Sequence, residues 1–224
     1  MLEIACFNLQ SALIAAGQGV SRIELCAGAS VGGTTPPKAT LGELKGQTTI
    51  PVNVMIRPRG GDFVYTDEEF NQMKEDIELF RDQVDGFVFG ILTLEGRVDE
   101  EQCTTLVQLA NLNGKKHCTF HRAFDFCETP LEDNVEAISR CGFDAILTSG
   151  GKDNAMEGVE VVQALQEDFA GRIRFILAGG VRSVNMKILR EKAPSVTWFH
   201  SAAITDGGEI ADEAEIQRLS RCFA

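Results

Sequence analysis

Residues 145–169 read AILTSGGKDNAMEGVEVVQALQEDF, and this stretch decides the fold. It opens on an apolar run, Ala145–Ser149, of the length of a strand buried on both faces. Gly150 and Gly151 end the run. From Ala155 to Phe169 the spacing changes. Val159, Val162, Leu165 and Phe169 recur every three or four residues and so share one face of a helix. Strand, glycine turn and amphipathic helix make one β/α unit, and a strand apolar on both faces belongs to a parallel sheet covered by helices.

The unit repeats along the whole chain. Strands are predicted at Leu2–Cys6, Arg22–Cys26, Val52–Pro58, Gly86–Gly90, His117–Arg122, Ala145–Ser149, Arg174–Gly179 and Trp198–Ala202. Helical segments follow at Leu9–Gly17, Lys38–Lys45, Asp67–Val84, Glu100–Asn111, Leu131–Cys141, Ala155–Phe169, Val184–Lys192 and Asp212–Cys222. Two helix starts carry marked signals. Thr66 with Glu69 forms a capping-box pattern, followed by the stripe Phe70, Met73, Ile77, Phe80 and Val84. Thr129, Pro130 and Glu132 read as a second cap with proline at the first helical position. Eight such units in 224 residues predict a single-domain (β/α)8 barrel over residues 1–224. An open, doubly wound sheet is the alternative; the first turn lacks the Gly-x-Gly-x-x-Gly pattern that would favour it.

Composition narrows the function. Hydrophobic residues make up 44% and charged residues 24%, a globular balance. The net charge of −12 disfavours nucleic acid and anionic lipid as partners. No apolar run approaches a membrane span, and the start at Met1 lacks a basic leader, so a cytoplasmic location is expected. The seven cysteines include no CxxC pair, which argues against a zinc cluster and reads as reduced thiols.

In this fold, chemistry sits at the C-terminal ends of the strands. The unusual polar residues fall there: Glu24 on the second strand, Arg57 and Arg59 after the third, His121, Arg122 and Asp125 after the fifth, and Thr148, Ser149 and Gly150 after the sixth. Gly179 and Gly180 follow the seventh strand, and His200 and Ser201 lie on the eighth. Three arginines gathered on one face of an acidic protein predict a small anionic ligand, since guanidinium forks hold carboxylate and phosphate. Gly179–Gly180 with Ser201 resembles a phosphate-binding turn, with Thr148–Gly150 beside it. His121, oriented by Glu24 or Asp125, would be the general acid or base. Glu24 or Glu3 also fits a carboxylate paired with an arginine for structure alone, and His117 reads as structural.

The thiols support a different chemistry. Cys6 ends the first strand, Cys26 ends the second, and Met55 lies on the third. Thiolate and thioether donors suit Cu(I). Strand alternation puts Glu24 and Cys26 on one face but Glu3 and Cys6 on opposite faces, so the two thiols diverge if both glutamates point inward.

Several stretches resemble the copper homeostasis protein CutC family: Arg22-Ile-Glu-Leu-Cys26, Gly32-Gly-Thr-Thr-Pro36, Met55-Ile-Arg-Pro-Arg-Gly-Gly-Asp-Phe63, Thr119-Phe-His-Arg-Ala-Phe-Asp125 and Leu147-Thr-Ser-Gly150. The resemblance spans the barrel and weakens near the C-terminus, where Ala202-Ala203-Ile204-Thr205 stands. It implies a (β/α)8 barrel, a cytoplasmic location, self-association as a homodimer or higher oligomer, and a role in copper handling, with Cys6 and Cys26 matching cysteines proposed to bind Cu(I). Two functions therefore stay open: a Cu(I)-binding homeostasis protein, and an enzyme (lyase, isomerase or hydrolase) acting on a small anionic, phosphorylated substrate.

Overall fold

Each apolar run pairs with a neighbour on both sides, which is possible for every strand only if the sheet closes. The computed structural model, which describes residues 1–223, shows that closure. The strands β1 (Leu2–Cys6), β2 (Arg22–Leu25), β3 (Val52–Met55), β4 (Gly86–Phe89), β5 (His117–Phe120), β6 (Ala145–Thr148), β7 (Arg174–Leu177) and β8 (Trp198–Ser201) form a closed parallel barrel in sequence order. The helices that follow them are α1 (Leu9–Gly17), α2 (Lys38–Lys45), α3 (Asp67–Phe80), α4 (Glu100–Ala110), α5 (Leu131–Cys141), α6 (Ala155–Asp168), α7 (Ser183–Lys192) and α8 (Glu213–Arg221). Barrel closure rules out the open sheet.

Strand alternation divides the side chains between two environments. Ile4, Ile23, Val54, Phe87, Phe120, Ile146, Phe175 and Phe199 point outward and pack with helix residues such as Met73, Ile77, Leu106, Val162 and Ile216 in the main core. The inward positions are uneven. Ala145, Leu147, Ile176, Ala178 and Trp198 make an apolar cluster on the β6–β8 side. On the opposite side, beside a small cluster of Cys26, Met55 and Val88, the inward positions include buried polar residues: Glu3, Arg22, Glu24, Asn53, Thr119 and His121. A core that buries this many polar groups must partner them or use them.

Several local readings need correction. β3 ends at Met55, before the expected Pro58, because Arg57 leaves the ladder: its N–H donates to Thr35 Oγ1 and its carbonyl accepts from Thr35 N–H. β5 ends at Phe120, and the chain enters a tight 3-10 turn over Arg122–Phe126. Thr129 does not cap α5. Its hydroxyl donates to Asn134 Oδ1 at 2.7 Å, and extended Pro130 (ψ 142°) precedes the helix. The capping box at Thr66 and Glu69 is present in both directions.

One packing contact positions the site. A Cβ on Gly158 of α6 would lie 1.7 Å from the Ser149 carbonyl oxygen, and one on Gly150 would lie 2.7 Å from the Gly158 oxygen. Only glycine lets α6 lie against the end of β6 this closely.

Candidate functional site

The C-terminal mouth of the barrel opens into a cavity of about 290 Å3, with Glu24, Met55, His121 and His200 deep in it and Gly32, Phe63, Arg122 and Phe126 toward its rim. At its base lies a buried ionic network. Register places Glu3 opposite both Arg22 of β2 and His200 of β8. One oxygen of Glu3 accepts from Arg22 Nε at 2.5 Å, and the other lies 2.8 Å from His200 Nδ1. The Arg22 guanidinium also stacks on Trp198, 4.3 Å from the ring centroid. Burial alone would raise the Glu3 pKa, but Arg22 and His200 outweigh it and pull it down to about 2.

Glu24 differs from Glu3. Its Oε1 accepts from the Cys26 thiol at 3.2 Å, while its buried Oε2 has no hydrogen-bond partner among the described residues. That oxygen lies 3.8 Å from His200 Nδ1. Burial holds the Glu24 carboxyl above its ordinary pKa despite the pull of His200. Burial also opposes charge on His200, but the Glu24 and Glu3 carboxylates overcome it and hold its pKa above the ordinary value.

His121 is neutral. Burial, with Arg57 nearby, pushes its pKa down to about 3. Its Nδ1 accepts from Ala123 N–H at 3.3 Å, so the ring proton sits on Nε2, which has no partner among the described residues. His121 is therefore a hydrogen-bond donor on the cavity wall, with Phe63 packed edge-on at 4.9 Å. Neither expected carboxylate orients it. The Asp125 carboxylate accepts instead from Arg122 Nε at 2.8 Å, Gly151 N at 3.0 Å, and the Ser149 amide and hydroxyl at 3.1 Å each, as well as from the Thr148 hydroxyl. Asp125 is thus a bracket joining the loops after β5 and β6, because its donors are Arg122 from its own loop and backbone and hydroxyl groups of Thr148, Ser149 and Gly151.

The three arginines separate by role. Arg57 is buried and donates to three carbonyls: Val31 at 2.8 Å and Gly33 at 3.0 Å in the β2 loop, and Gly61 at 2.8 Å in the β3 loop. Its charge is held by the protein's own backbone. Arg59 is turned away from the cavity, bound to Glu69 at 2.6 Å and Asp62 at 2.9 Å. Arg122 lines the cavity together with Arg57, its Nε held by Asp125 at 2.8 Å and its Nη2 by the Ser149 hydroxyl at 2.9 Å.

The expected phosphate turn is not assembled in the cavity. Ser201 Oγ donates to Val181 O at 2.7 Å and accepts from Arg182 Nη1 and Ala203 N at 3.1 Å each, which occupies the hydroxyl. Gly179 takes a left-handed conformation (φ 95°) and packs against the loop after β6, where a Cβ would lie 3.1 Å from Ser149 Cβ. Thr148 and Gly150 bond to one another, Gly150 N to the threonine hydroxyl, at 2.8 Å. None of Gly179, Gly180, Ser201, Thr148, Ser149 and Gly150 lines the cavity.

The thiols diverge, as alternation implied. Cys6 packs outward in the main core, its Sγ 3.6 Å from the Ile4 carbonyl. Cys26 faces the interior in a separate cluster with Met55, Val88 and Phe7. Burial, reinforced by Glu24, raises the pKa of both thiols.

The chain matches the CutC family model over residues 1–205. It belongs to the CutC family. A human relative named copper homeostasis protein cutC homolog is 41% identical over 204 residues, covering 91% of this chain and 73% of the relative. A CutC family protein from Porphyromonas gingivalis is 41% identical over 202 residues, 90% of this chain and 79% of the relative. The crystal structure of a putative copper homeostasis protein CutC from Streptococcus agalactiae superposes with a TM-score of 0.83 at 32% identity, covering 92% of this chain and 99% of that one. A 2,3-dimethylmalate lyase superposes with a TM-score of 0.63 at 15% identity, covering 91% of this chain and 75% of that one, which shows a shared fold.

Within this CutC chain, Glu24, Arg57, His121 and Arg122 do meet at one cavity, as their strand-end positions predicted. What the sequence reading missed is the Glu3–Arg22–His200 network. The signal was available: closure brings the first strand beside the eighth, and inward alternation then sets residue 3 against residue 200.

Proposed function

We propose that this chain handles copper, holding Cu(I) on sulfur at the inner wall of the barrel mouth through Cys26 and Met55. One observation carries the reading: the two sulfur side chains meet beneath the β2 loop. A Cβ on Gly33 would lie 3.4 Å from Met55 Cε and 3.7 Å from Cys26 Sγ, so both side chains close on one spot. A thiolate and a thioether form a soft pair suited to Cu(I), which accepts few ligands. The relatives' names support copper as the cargo. Cys6 packs in a different cluster, so its contribution is to the core. Seven unpaired cysteines suit a reducing cytoplasm, and among the described residues no helix is long and apolar enough to cross a membrane.

An anaerobic Cu(I) titration against a chromophoric chelator tests this. The parent and Cys6→Ala should bind one equivalent, and Cys26→Ala should lose it, with Met55→Leu weakened. Equally tight binding by Cys26→Ala would refute the assignment.

A second reading, an enzyme acting on a small carboxylate or phosphate, is favoured by His121. A buried neutral imidazole presenting an unpartnered N–H beside Arg122 is the arrangement that stabilises a developing oxyanion. Glu24, with its free oxygen, faces the same space. Stabilisation of the fold by a carboxylate or phosphate metabolite, abolished in His121→Phe, would support it. A broad metabolite screen without any thermal shift would count against it.

A further inference from the structure

We infer that Glu3, Glu24 and His200 form a binding site for a divalent first-row metal cation at the base of the cavity, separate from the sulfur pair. One donor atom from each residue lies within 4.8 Å of the others. The individual separations fit a common ligand sphere in which the cation replaces the Nδ1 proton of His200: Nδ1 is 2.8 Å from Glu3 Oε1 and 3.8 Å from Glu24 Oε2. With metal–donor distances of about 2.1 Å, these separations subtend about 85° and about 130° at the metal, within the range spanned by octahedral and five-coordinate geometry.

Each carboxylate presents one oxygen to this point because the other is held elsewhere. Arg22 Nε fixes Glu3 Oε2, and the Cys26 thiol fixes Glu24 Oε1. Outer hydrogen bonds of this kind orient the ligands of metal sites. The second, independent observation is the orphaned Glu24 Oε2. Glu24 is 2% exposed, and this oxygen has no hydrogen-bond partner among the described residues. A buried carboxylate oxygen left without a donor costs free energy, and a cation is the partner that removes the cost. Glu24 and His200 line the cavity, so the remaining coordination positions face open space that admits water or an anion.

The donor set chooses the class of ion. Two carboxylate oxygens and one imidazole nitrogen suit Zn2+, Mn2+ or Fe2+, whereas Cu(I) prefers sulfur. The mouth thus carries a hard site and a soft site side by side, joined by the 3.2 Å contact between Glu24 and Cys26.

The full chain is titrated with Zn2+ against a chromophoric chelator, alongside Glu24→Gln, His200→Gln and Cys26→Ser, whose hydroxyl removes the sulfur but keeps a donor for Glu24 Oε1. One equivalent should bind to the parent and to Cys26→Ser, with affinity falling at least tenfold in each of the other two. Circular dichroism and metal-free melting temperatures establish that the variants fold. Mn2+ titrated into the parent adds a test that needs no variant: pulsed EPR should show coupling to one imidazole nitrogen. Absence of saturable binding overturns the inference, as does binding that survives both Glu24→Gln and His200→Gln, or binding lost in Cys26→Ser. The Cu(I) reading fails on different results, because Cys26→Ser removes the soft sulfur and leaves the hard site with its hydrogen bond to Glu24.

Discussion

Gly158 offers a test in which local propensity and tertiary packing predict opposite signs. Alanine in a helix interior is favoured over glycine by about 1 kcal/mol, so Gly158→Ala would stabilise an isolated α6. In the folded chain the new Cβ lands 1.7 Å from the Ser149 carbonyl oxygen. An acceptable carbon–oxygen contact is roughly 3.3 Å, so helix or loop must retreat by about 1.6 Å. The opposing atom is backbone, so no rotamer change relieves the clash. Overpacking of this kind costs about 1–3 kcal/mol, and loosening the Ser149 hydrogen bonds to Asp125 and Arg122 adds about 2 kcal/mol in all. After the propensity gain, a net loss of about 2–4 kcal/mol is expected. Gly42 of α2 is the control. A Cβ there meets nothing within 4 Å, so Gly42→Ala should stabilise by about 0.4–1 kcal/mol. Urea unfolding monitored by circular dichroism measures both. A Gly158→Ala protein as stable as the parent would refute the claim that the closeness of α6 to β6 dictates glycine.

Two further outcomes are expected. His121 has its folded pKa lowered to about 3, so it stabilises the fold when neutral, fully above its unfolded pKa near 6.5, and the stability is lost as pH falls toward 3. The slope approaches about 1.4 kcal/mol per pH unit below the unfolded pKa, so His121→Gln should remove about 2 kcal/mol of the change between pH 6.5 and 4.5; an unchanged pH slope would contradict the burial of a neutral ring. Arg22→Ala leaves the buried Glu3 with His200 as its remaining ionic partner, and should cost about 3 kcal/mol in urea unfolding. It also removes the guanidinium from the face of Trp198, the only tryptophan, so its emission should shift; loss of under about 1 kcal/mol would show that the pair is not needed.

The repeat was readable because each β/α unit writes its own period: apolar runs, glycine turns and helical stripes are local signals. The cavity residues were partly readable for the same reason, since a strand's C-terminal end is known once its strand is known. The arginines were misjudged because their sequence positions are alike while their partners are not. Arg57 lines the cavity but spends its guanidinium on carbonyls from two loops, Arg59 meets the capping residue Glu69 outside it, and Arg122 lines the cavity held by Asp125 and Ser149. Asp125, which with Glu24 was one of two carboxylates open as the partner of His121, is instead turned toward β6 by the 3-10 turn. The Cys6–Cys26 question turned on alternation, which the sequence does contain, and the two thiols follow it.

The contact between Glu3 and His200 ties the site to the order in which the chain is made. These residues stand 197 positions apart and meet where the first strand and the last strand join. Until that seam is sealed, Glu3 and Glu24 are present without the imidazole between them. During synthesis, two carboxylates wait on a growing sheet while some two hundred residues emerge, and the interaction that completes the ring is the one that completes the site. A chain lacking the eighth strand lacks both His200 and the partner that seals β1, so the Glu3–His200 contact can form only when the barrel closes.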